Sequence, residues 1–141
     1  MKVFTLPELG EKYEGLKRFI LETVSEAGGK TCLPSAIGIG IGAQVDVAAK
    51  LSRKAISTRS WKERNKEKYI SDMEEELLKD INSLNIGSGG LGGKTTAFAV
   101  NIETAATHTA ICPVVINFHC WAARRAGIKI YPDGKSEWLK F

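Results

Sequence analysis

Ser35-Ala36-Ile37-Gly38-Ile39-Gly40-Ile41-Gly42 is the stretch on which the fold turns. From Ala36 to Ile41 an isoleucine follows every glycine. An apolar residue at every second position has the period of a strand, and the intervening glycines suit a strand pressed closely against other backbone. Upstream, Leu16, Phe19, Ile20 and Val24 recur at helical spacing, so Glu8 to Ala27 reads as a helix ended by Gly28-Gly29. Lys30-Thr31-Cys32-Leu33-Pro34 is then a short loop. Downstream, Ala43 to Ser57 reads as a helix with Val47, Ala48, Leu51 and Ala55 inward.

Thr58 to Lys68 is polar and basic and reads as an exposed connection. Tyr69 to Leu84 is a further amphipathic helix with Ile70, Met73, Leu77, Ile81 and Leu84 as its stripe; the acidic run at Asp72 and Glu74 to Glu76 reads as its solvated face. Five glycines fall between Gly87 and Gly93, which demands a loop of unusual dihedrals or close backbone approach. Thr95 to Ile102 and Ala110 to Phe118 read as buried strands. Ala126 to Tyr131 and Ser136 to Leu139 flank Pro132-Asp133-Gly134, a turn signal, and make a terminal hairpin. Helices mixed with strands give an α/β (mixed α+β) class in one domain spanning 1–141.

Bulk properties narrow the function. The chain has 141 residues, 43% hydrophobic and 26% charged, with a net charge of +4. That composition is ordinary for a globular domain. The basic cluster between Arg53 and Lys68 also holds Glu63 and Glu67, and reads as a solvated face; it lacks the charge density of a nucleic-acid arm. No run of about 18 apolar residues exists to span a membrane. The N-terminus lacks the apolar core of a secretory signal, so a cytoplasmic location is expected. Three cysteines do not make a disulfide framework.

Each motif has competing readings. Gly93-Lys94-Thr95 suggests a phosphate-binding loop, but Ser88 stands where that template needs glycine, and a strand follows where it needs a helix. Gly38-x-Gly40-x-x-Ala43 is a variant dinucleotide fingerprint without the acidic residue expected at the end of a second strand. A nucleotide-binding module built on these two glycine segments is therefore an alternative reading. Cys112 lies in an apolar strand and reads as a small buried hydrophobe. No CxxC pair is present, so zinc is not supported. His108 begins a strand, and His119 adjoins Cys120.

Taken together, several segments resemble one family. Gly28-Gly29-Lys30-Thr31-Cys32-Leu33-Pro34 through Gly42 is similar to the central cysteine loop of class I fumarases and L-tartrate dehydratases. Asn82 to Gly87, with Leu91-Gly92-Gly93-Lys94-Thr95-Thr96-Ala97, resembles their glycine-rich active-site loop. Thr107-His108-Thr109-Ala110, with Pro113 through Cys120-Trp121-Ala122-Ala123-Arg124-Arg125-Ala126, resembles their second half-site. The resemblance implies the C-terminal half of the alpha-type catalytic domain of an iron–sulfur hydro-lyase. Its activity would be reversible hydration of fumarate to L-malate, or dehydration of tartrate. It implies a 4Fe–4S cluster held by three cysteines, two of them Cys32 and Cys120, with one iron open to substrate. It assigns His108 to the substrate as a catalytic contact, and makes the Gly92 and Gly93 amides candidate donors to the dicarboxylate. Leu33 and Ala43-Gln44 depart from the family pattern. The third cysteine and its neighbouring acidic residue have no counterpart in this chain, which starts at Met1. The expected partners are thus an N-terminal half of the alpha region and a beta subunit or domain, with no nucleic acid or membrane. A natural split subunit and a catalytically silent truncated fragment both fit that expectation.

Overall fold

A computed structural model describes residues 1–123 and 126–139; Arg124 and Arg125 of the second half-site lie outside the described residues. The chain forms β1 (Lys2–Phe4), α1 (Leu6–Leu9), α2 (Glu14–Ala27), β2 (Ser35–Ile41), α3 (Val45–Ser57), α4 (Lys68–Ser83), β3 (Ala97–Thr104), β4 (Cys112–Phe118), β5 (Ile128–Ile130) and β6 (Ser136–Trp138). Four strands make a mixed sheet in the order β1-β4-β2-β3. β2 runs parallel to β3 and antiparallel to β4, and β4 is antiparallel to β1. The α/β class expected from the sequence is the class observed.

The alternation in β2 divides the molecule. Ile37 and Ile39 are fully buried and join Leu16, Ile20, Val24, Leu77, Ile81 and Val114 in the main core, beneath α2 and α4. Burying each of these side chains contributes about 1.5–3 kcal/mol. The other face carries Ala36, Gly38 and Gly40 and receives α3. A Cβ on Gly40 would overlap the Ala48 carbonyl oxygen and approach the Ser52 nitrogen within 2.6 Å; one on Gly38 would overlap the Ser52 carbonyl and the Ile56 side chain. Glycine is therefore what lets the α3 backbone lie directly on the strand, as the alternation requires.

Several expectations are corrected. The first helix is interrupted: Gly10, Lys12 and Tyr13 have positive φ, so α1 and α2 are separated by a turn. β1 lies unforeseen at the sheet edge, with Phe4 buried against Phe19 at 5.5 Å between ring centroids. Glu74 is not on the solvated face of α4 but fully buried. Its Oε1 accepts the Ile102 N–H at 2.8 Å and an Arg59 N–H at 2.8 Å, and its Oε2 accepts the Asn65 N–H at 3.0 Å. Arg59 also donates to the Ile102 carbonyl at 3.0 Å, as does the Asn65 side-chain amide at 2.9 Å. Arg59 and Asn65 thereby tie the basic connection between α3 and α4 onto β3, while most of its residues stay exposed as expected. Strands β5 and β6 do form the expected hairpin, with Ile128 opposite Trp138.

Candidate active site

The register of β2 and β4 gathers residues remote in the chain. Antiparallel pairing sets Ile37 opposite Phe118, so the loop entering β2 and the turn leaving β4 emerge at one end of the sheet. Cys32 lies in the first and Cys120 in the second. Ser35 joins them. Its buried hydroxyl lies 3.0 Å from both the N–H and the carbonyl oxygen of His119, and the His119 N–H also donates to the Ala36 carbonyl at 2.9 Å. Cys32 is half-buried and Cys120 exposed, both as free thiols. The Cys120 Sγ accepts the Ala122 N–H at 3.5 Å.

The glycine-rich loop closes over the Cys32 loop. The Gly89 N–H donates to the Leu33 carbonyl at 3.2 Å. Gly29 and Gly90 meet backbone to backbone, and a Cβ on Gly90 would come within 2.6 Å of the Gly29 Cα. Asn82, at the end of α4, holds the loop's exit: its Oδ1 accepts the Thr96 and Ala97 N–H groups at 2.8 and 2.9 Å, and its Nδ2 donates to the Ala97 carbonyl at 3.0 Å. Gly92 and Gly93 lie at the far side of this loop. In this structure their N–H groups donate to the Ile86 and Asn85 carbonyls at 2.8 and 3.2 Å. The two phosphate-loop readings fall. Gly38 and Gly40 are covered by α3, and Lys94-Thr95 leads into β3.

His108 stands elsewhere. It lies in the β3–β4 loop, and β4 separates it from Cys120. Seven strand residues span roughly 20 Å at the usual rise. At that end His108 lines a cavity of about 560 Å³ with Thr107, Ile111, Pro113 and the start of α3. Its Nδ1 accepts the Ala110 N–H at 3.1 Å, so in the neutral ring the proton sits on Nε2. One copy of the chain therefore sets the Cys32 loop, the Cys120 turn and the glycine loop at one end of the sheet and His108 at the other.

Two contributors went unread in the sequence. Ser35 sits within the cysteine motif. Trp61 lies in the basic connection, where an aromatic in a polar stretch was the available signal. The indole packs 4.4 Å from the His119 ring and 4.9 Å from Phe98, and donates to the Ile56 carbonyl at 3.1 Å. Cys112 is buried in β4 as expected. Burial pushes its thiol above the ordinary range, partly offset by a hydrogen bond with the Gly42 backbone. With iodoacetamide at pH 8, Cys120 is expected to alkylate at least about tenfold faster than Cys112, because Cys120 is exposed while burial both shields the Cys112 thiol and disfavours its thiolate. Peptide mass spectrometry checks the ratio, and equal rates would contradict the burial of Cys112.

Among the described residues, no three His, Cys, Asp or Glu side chains converge to hold a metal ion. Two free thiols, Cys32 and Cys120, stand on the loops at this end of the sheet. No described helix is long and apolar enough to cross a membrane.

Comparison with known proteins adds the lineage. Residues 1–129 match the family model described as fumarate hydratase (Fumerase). A protein provisionally named L(+)-tartrate dehydratase subunit alpha from Methanocaldococcus jannaschii is 53% identical over 122 residues, covering 86% of this chain and 42% of that relative. The L(+)-tartrate dehydratase subunit alpha of Escherichia coli K12 is 37% identical over 123 residues, covering 87% of this chain and 40% of the relative. The chain thus spans about two-fifths of the length of the curated relatives it matches.

Proposed function

The chain belongs to the fumarate hydratase (Fumerase) family, and from that premise we propose that it is one component of an iron–sulfur hydro-lyase acting on a small dicarboxylate. The reaction is reversible hydration of fumarate to L-malate, or the equivalent dehydration of tartrate, and it proceeds with partner polypeptides. The observation that carries this reading is the joining of the Cys32 and Cys120 segments through Ser35 and His119. Two thiols so far apart in sequence, tethered at one sheet end by a buried hydroxyl, suit a shared inorganic centre better than two unrelated structural positions. That the relatives are named as alpha subunits supports a second subunit.

In this reading Cys32 and Cys120 are two thiolate ligands of a 4Fe–4S cluster, and the remaining thiolate comes from an N-terminal half of the alpha region. When bound, a cluster with an open iron supplies a Lewis acid for the substrate's hydroxyl oxygen. The chain's own residues do the rest of its share. The Ala122 amide steadies the Cys120 sulfur. The glycine loop, including Gly92 and Gly93, walls the site by close backbone approach rather than by amide donation. His108, with its proton on Nε2, donates to a substrate carboxylate. A strand's length separates His108 from the cysteines of its own chain, so a substrate at the cysteine end meets His108 of another copy. A beta subunit or domain supplies further cationic groups for the dicarboxylate.

The test is anaerobic co-production with the chain encoded beside it. Native complex is expected to be brown, with fumarate or tartrate hydro-lyase activity lost in air. Cys32→Ala and Cys120→Ala are expected to lose most of the bound iron, whereas His108→Asn keeps iron and loses activity. Unchanged iron in both cysteine variants would overturn the assignment.

A further inference from the structure

Trp61 lies on the connection between α3 and α4, remote in sequence from both cysteines, yet it touches the residue beside Cys120. Three observations converge. The His119 backbone is fixed on one side by the Ala36 carbonyl and the Ser35 hydroxyl. Its ring is fixed on the other by the Trp61 indole, in an edge contact at 4.4 Å with an interplanar angle of 81°. The indole has its own anchors, a hydrogen bond to the Ile56 carbonyl and a ring contact with Phe98. The connection that carries it is pinned two residues earlier by Arg59 on the buried Glu74.

We propose that Trp61 is a positioning residue for the Cys120 sulfur, acting through His119. The half-buried indole also covers the small apolar cluster of Ala36, Ile56 and Ala99, so it bridges that cluster to the first residue of the cysteine turn. Aromatic pairs of this geometry contribute beyond their buried area and are directional. Held at both backbone and ring, His119 fixes the direction in which the chain leaves β4. That direction sets where Cys120 stands relative to Cys32 and keeps the Ala122 amide on the sulfur. The consequence for cluster binding rests on Cys120 being a ligand; the placement of the turn does not.

The experiment compares Trp61→Ala and Trp61→Phe with the native chain by amide hydrogen exchange, without metal. In Trp61→Ala the His119 and Ala122 amides are expected to exchange at least about fivefold faster, with the β2 amides from Ile37 to Ile41 unchanged; Trp61→Phe is expected to stay within about twofold of native. In the anaerobic complex, Trp61→Ala is expected to lose iron as Cys120→Ala does, and Trp61→Phe to retain it. Native exchange in the turn, acceleration across all strands alike, or native iron content in Trp61→Ala would each overturn the proposal. Should Cys120→Ala itself leave iron unchanged, the ligand assignment fails, while the exchange data still decide whether Trp61 orders the turn.

Discussion

Glu74→Ala is expected to destabilise the chain by about 3–5 kcal/mol, the usual cost of removing one partner from a buried ion pair. The carboxylate is fully buried and receives four hydrogen bonds: two from Arg59, one from the Asn65 N–H and one from the Ile102 N–H. Its removal leaves a largely buried guanidinium with only the more distant Glu103 carboxylate, at 3.4 Å, and two backbone donors without their acceptor. Domains of this kind have total stabilities of about 5–15 kcal/mol, so the loss approaches or exceeds half of the lower values. In urea the midpoint should fall by about 2 M at an unchanged slope. Arg59→Ala should cost less, since the carboxylate keeps its backbone donors. The double variant should cost less than the sum of the two, as contacting residues do. A loss below about 1 kcal/mol for Glu74→Ala would show that the carboxylate is solvated after all.

Gly40→Ala is the second large effect. Here a single methyl meets helix backbone, the Ala48 carbonyl and the Ser52 nitrogen, neither of which can rotate aside. α3 must lift from the sheet, and overpacking of this kind costs about 3 kcal/mol or more at the upper end of its range. The lift also disturbs Ile56, whose carbonyl anchors Trp61, so the cysteine end should loosen along with the helix. Thermal unfolding by circular dichroism checks the stability loss. Lys50→Ala, on the exposed side of α3, should stay within about 0.5 kcal/mol. Similar melting of Gly40→Ala and the native chain would mean that α3 does not lie directly on β2.

The sequence made much of this architecture legible, through particular residues. The isoleucine–glycine alternation announced both the strand and the close backbone contact, because period two and missing side chains are local properties. The α4 stripe was legible for the same reason at period 3.6. Glu74 was misread because charge outweighed position: it lies four residues after Ile70 and three before Leu77, on the apolar stripe itself. A carboxylate there demands donors, and those come from Arg59, Asn65 and β3, which no local pattern reveals. The three residues of β1 are too few to show a period. At the site, Cys32 and Cys120 could be singled out by resemblance, but the placement of their loops at one sheet end depends on antiparallel register, a long-range fact. The same register separates His108 from them, and the inward turn of the Gly92 and Gly93 amides depends on loop closure.

The side chains ranged along β3 have an effect on assembly. An edge strand with bare amides and carbonyls invites another chain to pair with it. On β3 the amide and carbonyl of Ala97 are taken by Asn82, and those of Ile102 by Glu74, Arg59 and Asn65. The opposite edge is a three-residue strand. At Ala97 and Ile102, β3 offers a further strand no bare backbone groups. A companion polypeptide that meets the strand ends instead would meet the loops that carry the thiols.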